Sequence, residues 1–292
     1  VELDPGLVGA LIKEYQTIIE WRDTTNYAAA ISDNNASYFD DTSQAGIVAH
    51  PMFPVAVTWP IVSRLDKYLD SSEFPTEVLM TQVHYSEHLI LHRLIRPDDI
   101  LSLTGCLAAL LPHRAGTHAI VRLDAVDAKG GPVFTEYLGA LLRGVHCGPG
   151  SGAQAVPGPP EPEAPGRPLW SSDIFIDPER PYIYDACTDI VFAIHTSPSF
   201  AQMVGLPGII LQGTATLAYA VREVVNQQAG GNPARIKEIG CRFSGMVRPG
   251  SSIKVCCLGT QEHQDFSQVF FEVLDHEGGK AIRKGHIKIA KE

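Results

Sequence analysis

Two groups of residues in this sequence have the types and spacing for chemistry. Asp189 and His195 sit on one short connecting stretch, and Gln212-Gly213-Thr214 open an apolar helical pattern. A carboxylate and an imidazole facing one water can take a proton from it and return one, because an unperturbed imidazole titrates near ~6.5 and works in either direction. The first N–H groups of a helix have no partner inside it. With the helix dipole they favour developing negative charge, and Gly213 would let a ligand approach that backbone closely. A lone Asp–His pair is more often structural than catalytic, so the elements around it must decide. A third group, His84, His88 and His92, recurs every four residues. On a helix it would suggest a metal, but the stretch reads as strand. There the three would share a face, spread roughly 13 Å between successive pairs, too far for one ion, so no metal is expected.

The 292 residues suggest two domains at roughly 100–200 residues each. A net charge of −10 with no basic run argues against a nucleic-acid partner. No apolar run is long enough to insert in a membrane. The six cysteines are scattered, without metal-ligand or disulfide-scaffold spacing, and read as reduced thiols of a cytoplasmic protein. Residues 147–169 are rich in Gly, Pro, Ala and Ser and form a linker between domains at 1–146 and 170–292.

The two domains share an order of parts. Each has a mixed segment, a polar hinge, a Gly- and Pro-containing lead into an apolar helix, and then short strands. Arg96-Pro97 matches Arg248-Pro249, and Asp127 to Gly131 matches Asp275 to Gly279. Residues 214–228 carry apolar positions at helical spacing and stop at Gly230-Gly231. Segments 236–247, 252–258, 267–274 and 280–289 read as strands. The expected class is α+β, with an antiparallel sheet wrapped around a long central helix, twice over.

The run from Thr188 to His195, followed by Ala201 and by Leu211-Gln212-Gly213, resembles the hydratase-2 motif of the MaoC-like (R)-specific enoyl-CoA hydratases and dehydratases. That motif reads Ser-Gly-Asp-x-Asn-Pro-(Leu/Ile)-His, then Ala, then Pro-Ile-Leu-His-Gly-Leu at a helix start. Here Asp189 lies one position early, with Ile190 at the family's Asp. Phe192 and Ala193 replace Asn and Pro, and Gln212 replaces the second His. The first half keeps Asp33 and Asn35 but has Tyr38 for the His. The resemblance implies two tandem hot-dog domains, the second catalytic and the first a degenerate copy that lines the acyl pocket with Met52 and Phe53.

It implies a hydro-lyase that adds water to a trans-2-enoyl thioester or dehydrates a 3-hydroxyacyl thioester. Asp189 and His195 would handle the water, and the N–H at Gly213 would hold the thioester oxygen. Gln212, Thr214 and Phe192 would contact the substrate. No cofactor is expected, since coenzyme A is part of the acyl-CoA substrate, and an acidic chain disfavours an acidic acyl carrier protein. Arg93, Arg96, Arg242 and Arg248 are candidates for its phosphates. Edge-strand pairing allows a homodimer. Rival readings are a thioesterase of the same fold and a non-catalytic acyl-thioester-binding or subunit-stabilising protein.

Overall fold

The computed structural model describes residues 2–71, 74–148, 156–161 and 167–291, with only the backbone for Thr76, Met80 and Thr81. Most of the expected linker, 147–169, therefore lies outside the described residues. The first half runs β1 (Glu2–Leu3), β2 (Leu11–Ile18), α1 (Trp21–Ala30), α2 (Pro54–Val62) and the one-turn α3 (Leu65–Tyr68). It continues with β3 (Gln82–Leu91), β4 (Ile100–His113), β5 (Gly116–Asp127), β6 (Pro132–Arg143) and the short β7 (His146–Cys147), which pairs with β1. The second half runs β8 (Trp170–Ile176), α4 (Arg180–Thr188), α5 (Pro198–Met203) and α6 (Gly213–Gln228). Four strands follow: β9 (Ile236–Phe243), β10 (Ser251–Glu262), β11 (Phe266–Leu274) and β12 (Lys280–Ala290).

Strands β3 and β9 pair antiparallel, from Ser86 opposite Arg242 to Ile90 opposite Glu238. That seam fuses the halves into one sheet of ten strands in the order β2-β4-β5-β6-β3-β9-β12-β11-β10-β8. Outward from the seam, both directions give the same succession of parts, so the repeat in the sequence is a repeat in space. The hairpins match chemically too. Asp127 Oδ1 accepts the N–H groups of Lys129 and Gly131, and Asp275 Oδ1 those of Glu277 and Gly279. Gly130 and Gly278 supply the positive φ that each turn requires.

Helix α6 is enclosed by the sheet. Ala215, Leu217, Ala218, Ala220, Val221, Val224 and Val225 are all fully buried, so apolar or small residues surround it rather than forming one stripe. It stops where Gly230 and Gly231 turn to positive φ and the Gly231 N–H returns to the Val225 carbonyl. The corresponding helix of the first half is shorter. Pro60 inside α2 lacks the N–H that would continue the ladder, and Arg64 interrupts the path to α3. The central helix is long only in the second half. Helices α1 and α4 pack against each other, and Arg222 and Arg180 of the second half donate to the carbonyls of Ile31 and Ala30 in the first.

No described helix is long and apolar enough to cross a membrane. All six cysteines are free thiols.

Candidate active site

The C-terminus of α4 sets the geometry of the second half's candidate residues. Asp189 caps the helix in the left-handed conformation, φ 55°, and is exposed, while Ile190 turns inward and is buried. A short 3-10 turn, Ala193–His195, then carries the imidazole inside. His195 Nδ1–H donates to the Ile210 carbonyl at 2.8 Å, which leaves Nε2 with its lone pair. Burial pushes the group down to about 4, so it is neutral near pH 7. The Phe192 ring, 41% exposed, stands 6.2 Å from the imidazole.

The expected convergence of Asp189 with His195 on one water takes no direct form: among the described residues no hydrogen bond or ion pair joins the two side chains. The left-handed cap turns the carboxylate to solvent, and the inward position the family gives to Asp is filled by Ile190.

Three residues after Ile210, α6 begins. Its N-cap, Gln212, makes no side-chain cap, so the first N–H groups have no acceptor within the helix. Gln212 is buried and its Nε2 donates to the Pro181 carbonyl at 3.0 Å, while Oε1 is buried without a partner. Gly213 meets not open space but the Phe243 ring: a Cβ there would lie 3.2–3.6 Å from three ring carbons. Close packing, rather than close approach of a ligand, is what the missing side chain permits. Thr214 Oγ1 accepts from the Tyr184 hydroxyl at 3.1 Å, and that hydroxyl lies 3.1 Å from Tyr27 of the first half.

Tyr27 stacks on His50 with centroids 5.7 Å apart, and His50 Nε2 is 3.7 Å from Asp33 Oδ2. The Met52 N–H donates to His50 Nδ1, so the proton of the neutral ring is on Nε2, toward Asp33. Burial pushes His50 down to about 3 and raises the Asp33 carboxyl. Tyr38, also fully buried, has an unpartnered hydroxyl. Sequence reasoning named Asp33 and Tyr38 here but missed His50, Tyr27 and Tyr184. The signal available was positional, since His50 precedes α2 as Gln212 precedes α6.

Met52 and Phe53 are buried at the start of α2, where Phe53 packs edge-on to Tyr27. They do not line the apolar pocket under α2 and α3, which is walled by residues such as Val62, Leu65, Phe74, Leu107, Val121 and Leu142.

A second missed group flanks the site. Glu87 on β3 and Glu136 on β6 are fully buried, and His84 Nε2 is 3.1 Å from Glu87 Oε2. Burial pushes Glu87 up to about 8 and His84 down to about 4, and it raises Glu136 well above the usual carboxylate range. A bulge between His84 and Ser86 brings His84 to the face of Glu87, leaving His88 on the other. The expectation that His84, His88 and His92 share a strand face is thereby overturned. Of the arginines, Arg93 is held by Asp99 and Asp127, and Arg242 lies over the Tyr85 ring.

Residues 162–278, which contain Asp189, His195 and Gly213, match the MaoC like domain, and residues 6–136 match the FAS1-like dehydratase domain region. Each half of the chain thus carries a dehydratase-type domain, the second of them MaoC-like. It is 27% identical over 286 residues to 3-hydroxyacyl-thioester dehydratase Y of Mycobacterium tuberculosis, covering 96% of this chain and 94% of that protein. Over 96 residues it is 29% identical to the peroxisomal enoyl-CoA hydratase 2 of Arabidopsis thaliana, covering 33% of this chain and 29% of that one. The structure of a MaoC-like dehydratase from Phytophthora capsici superposes with a TM-score of 0.84 at 21% identity, over 98% of both chains. That likeness establishes the MaoC-like double hot-dog fold.

Proposed function

We propose that this MaoC-like chain adds water to a trans-2-enoyl thioester, and in reverse dehydrates a 3-hydroxyacyl thioester, with His195 as its acid–base group. The observation that carries the reading is the neutral imidazole oriented by Ile210 beside the uncapped start of α6. His195 Nε2 takes a proton from water as the oxygen attacks the β-carbon. The charge that moves onto the thioester oxygen is held by the N–H groups of Gly213 and Thr214. The imidazolium then returns its proton to the α-carbon, so one group serves both steps and the net change is one water added. Gln212 Oε1, buried and unpartnered, orients that water, and Phe192 flanks it at the mouth. Asp189, exposed, has no part in the proton path. The names of the two relatives given above support this reaction class.

The same reading divides the chain at 1–146, 147–169 and 170–292, with catalysis in the last part. The first part lines the acyl pocket, with Met52 and Phe53 at the start of α2. Coenzyme A is the carrier, in keeping with the net charge of −10. Free thiols accord with a cytoplasmic protein, and the edge strands β2 and β8, where Ile18 and Phe175 are exposed, offer a homodimer contact.

A crotonyl-CoA assay tests the reaction. Loss of enoyl absorbance without free thiol is the expected result. Thiol release would mean a thioesterase, and neither signal over several chain lengths would mean an acyl-thioester binder.

A further inference from the structure

On the face of the sheet opposite Glu87, three side chains from three adjacent strands meet across the seam. His88 on β3 and His286 on β12 are both register partners of Gly240 on β9, the strand between them. Strands lie roughly 4.8 Å apart, so two imidazoles two strands apart reach each other only by leaning over the middle strand. Gly240 is what permits it: a Cβ there would collide with His286 Cε1 and Nε2 and press on His88 Nδ1. Glu238, two residues along β9 on the same face, completes the group. Its Oε1 is 3.4 Å from His88 Nε2 and 3.8 Å from His286 Nε2, and the three atoms all lie within 4.8 Å of one another.

The hydrogen bonding leaves this convergence unsatisfied. His286 Nδ1–H donates to the Lys284 carbonyl at 3.1 Å, so Nε2 turns a lone pair toward the carboxylate. Both Nε2 atoms are buried without a hydrogen-bond partner, on residues 1% and 8% exposed. An acceptor nitrogen facing an acceptor oxygen with little solvent between them needs a cation or a proton in the gap. Lys288, the register partner of Glu238, sets its Nζ 4.2 Å over the Phe266 ring, and its charge offsets only part of the burial that raises the Glu238 carboxyl.

We propose that His88, Glu238 and His286 bind one divalent transition-metal ion of the zinc type, tying the first half of the chain to the second at the β3–β9 seam. Two imidazole nitrogens and one carboxylate oxygen are a common zinc donor set, and the Lys284 carbonyl supplies the outer contact that such a ligand histidine usually makes. With bonds of roughly 2.0–2.1 Å, tetrahedral geometry sets ligand atoms about 3.3 Å apart, near the 3.4 and 3.8 Å that separate Glu238 Oε1 from the two Nε2 atoms. The side chain of Glu238 is 24% exposed, which gives the ion a path from solvent and leaves its fourth position to water.

The test is Co2+ titration of the chelator-treated full-length chain, followed by its visible ligand-field absorption, with Zn2+ added afterwards to displace it. The expected result is one equivalent bound, no thiolate-to-cobalt charge-transfer band, and a rise in melting temperature on Zn2+ addition. Glu238→Gln keeps the volume at a partly exposed position and should fold as the parent does. It should weaken binding at least ~10-fold, and His286→Gln should do so as well. No cobalt spectrum in the parent, or equal affinity in parent and Glu238→Gln, would overturn the proposal and leave a shared proton in the gap. Hydration of crotonyl-CoA, measured on the same samples, does not depend on the outcome.

Discussion

The hydroxyl oxygens of Tyr27 and Tyr184 lie 3.1 Å apart in the interior, and the two rings come from opposite halves of the chain. Both residues are fully buried. They hold equivalent places, on α1 and α4, so the contact falls on the axis that relates the repeats. From it, hydrogen bonding leads to Thr214 at the start of α6 and ring stacking leads to His50. Neither half could complete this path alone.

Tyr184→Phe removes the hydroxyl that binds both Tyr27 and Thr214, leaving two buried groups short of a partner. The expected loss is about 1–3 kcal/mol in unfolding free energy, measured by denaturant titration. Tyr27→Phe removes only one partner and should lose less. The double variant should fall short of the sum of the two, because each single change already breaks the shared bond. Strict additivity would mean the hydroxyls do not interact.

His195→Ala should lower turnover of crotonyl-CoA by about 10²–10⁴-fold with little change in melting temperature. Asp189→Asn should keep activity within about threefold of the parent, because its side chain is exposed and outside the proton path. A large loss in Asp189→Asn with an intact His195 would restore the acid–imidazole pair to the mechanism. With His195 held down to about 4, the rate should stay level from pH 8 to about pH 5 and fall only below that.

The repeat, the α6 boundaries, the four strands after it and the Asp-Gly-Gly hairpins were legible because each depends on local spacing or turn chemistry. The motif points to His195, which the fold buries beside the entry to α6. The exposed setting of Asp189 was not legible. Its conformation is set by how α4 ends, and one residue at a helix cap decides between core and solvent. Likewise His88 with Glu238 and His286, and His84 with Glu87, arise from strand pairing between distant segments and from a bulge. No periodicity within one segment encodes such contacts. The shortened α2 could have been read from Pro60, which breaks a pattern that is apolar throughout.

Buried ionisable groups give the stability a pH profile with two limbs. Unfolded imidazoles titrate near ~6.5, above the values of about 4 at His84, His88 and His195. Their contribution is complete above pH ~6.5 and drains as pH falls toward 4. Glu87 has the opposite sign: its folded value of about 8 lies above an unfolded value near ~4.3, so its contribution is complete in acid and is lost as pH rises through 8. Glu87→Gln should therefore raise the melting temperature over the parent at pH 9 and much less at pH 5. A difference that does not vary with pH would show that Glu87 ionises normally in the fold.

Two glycine substitutions separate packing from chemistry. Gly213→Ala puts a methyl group 3.2–3.6 Å from the Phe243 ring, which must give by a few tenths of an ångström. That ring also packs on His84, with centroids 4.5 Å apart, so the shift passes along the edge of the site. Because alanine favours a helix and the ring can adjust, the melting temperature should change little, while kcat/KM falls as the first N–H groups of α6 lose their aim. Gly240→Ala is the converse. Its methyl group would strike the His286 imidazole and press on that of His88, both of them buried, so stability should fall by about 1–3 kcal/mol. The hydration rate of the chain that remains folded should match the parent's. If Gly213→Ala keeps full activity, the oxyanion contact does not lie at the start of α6.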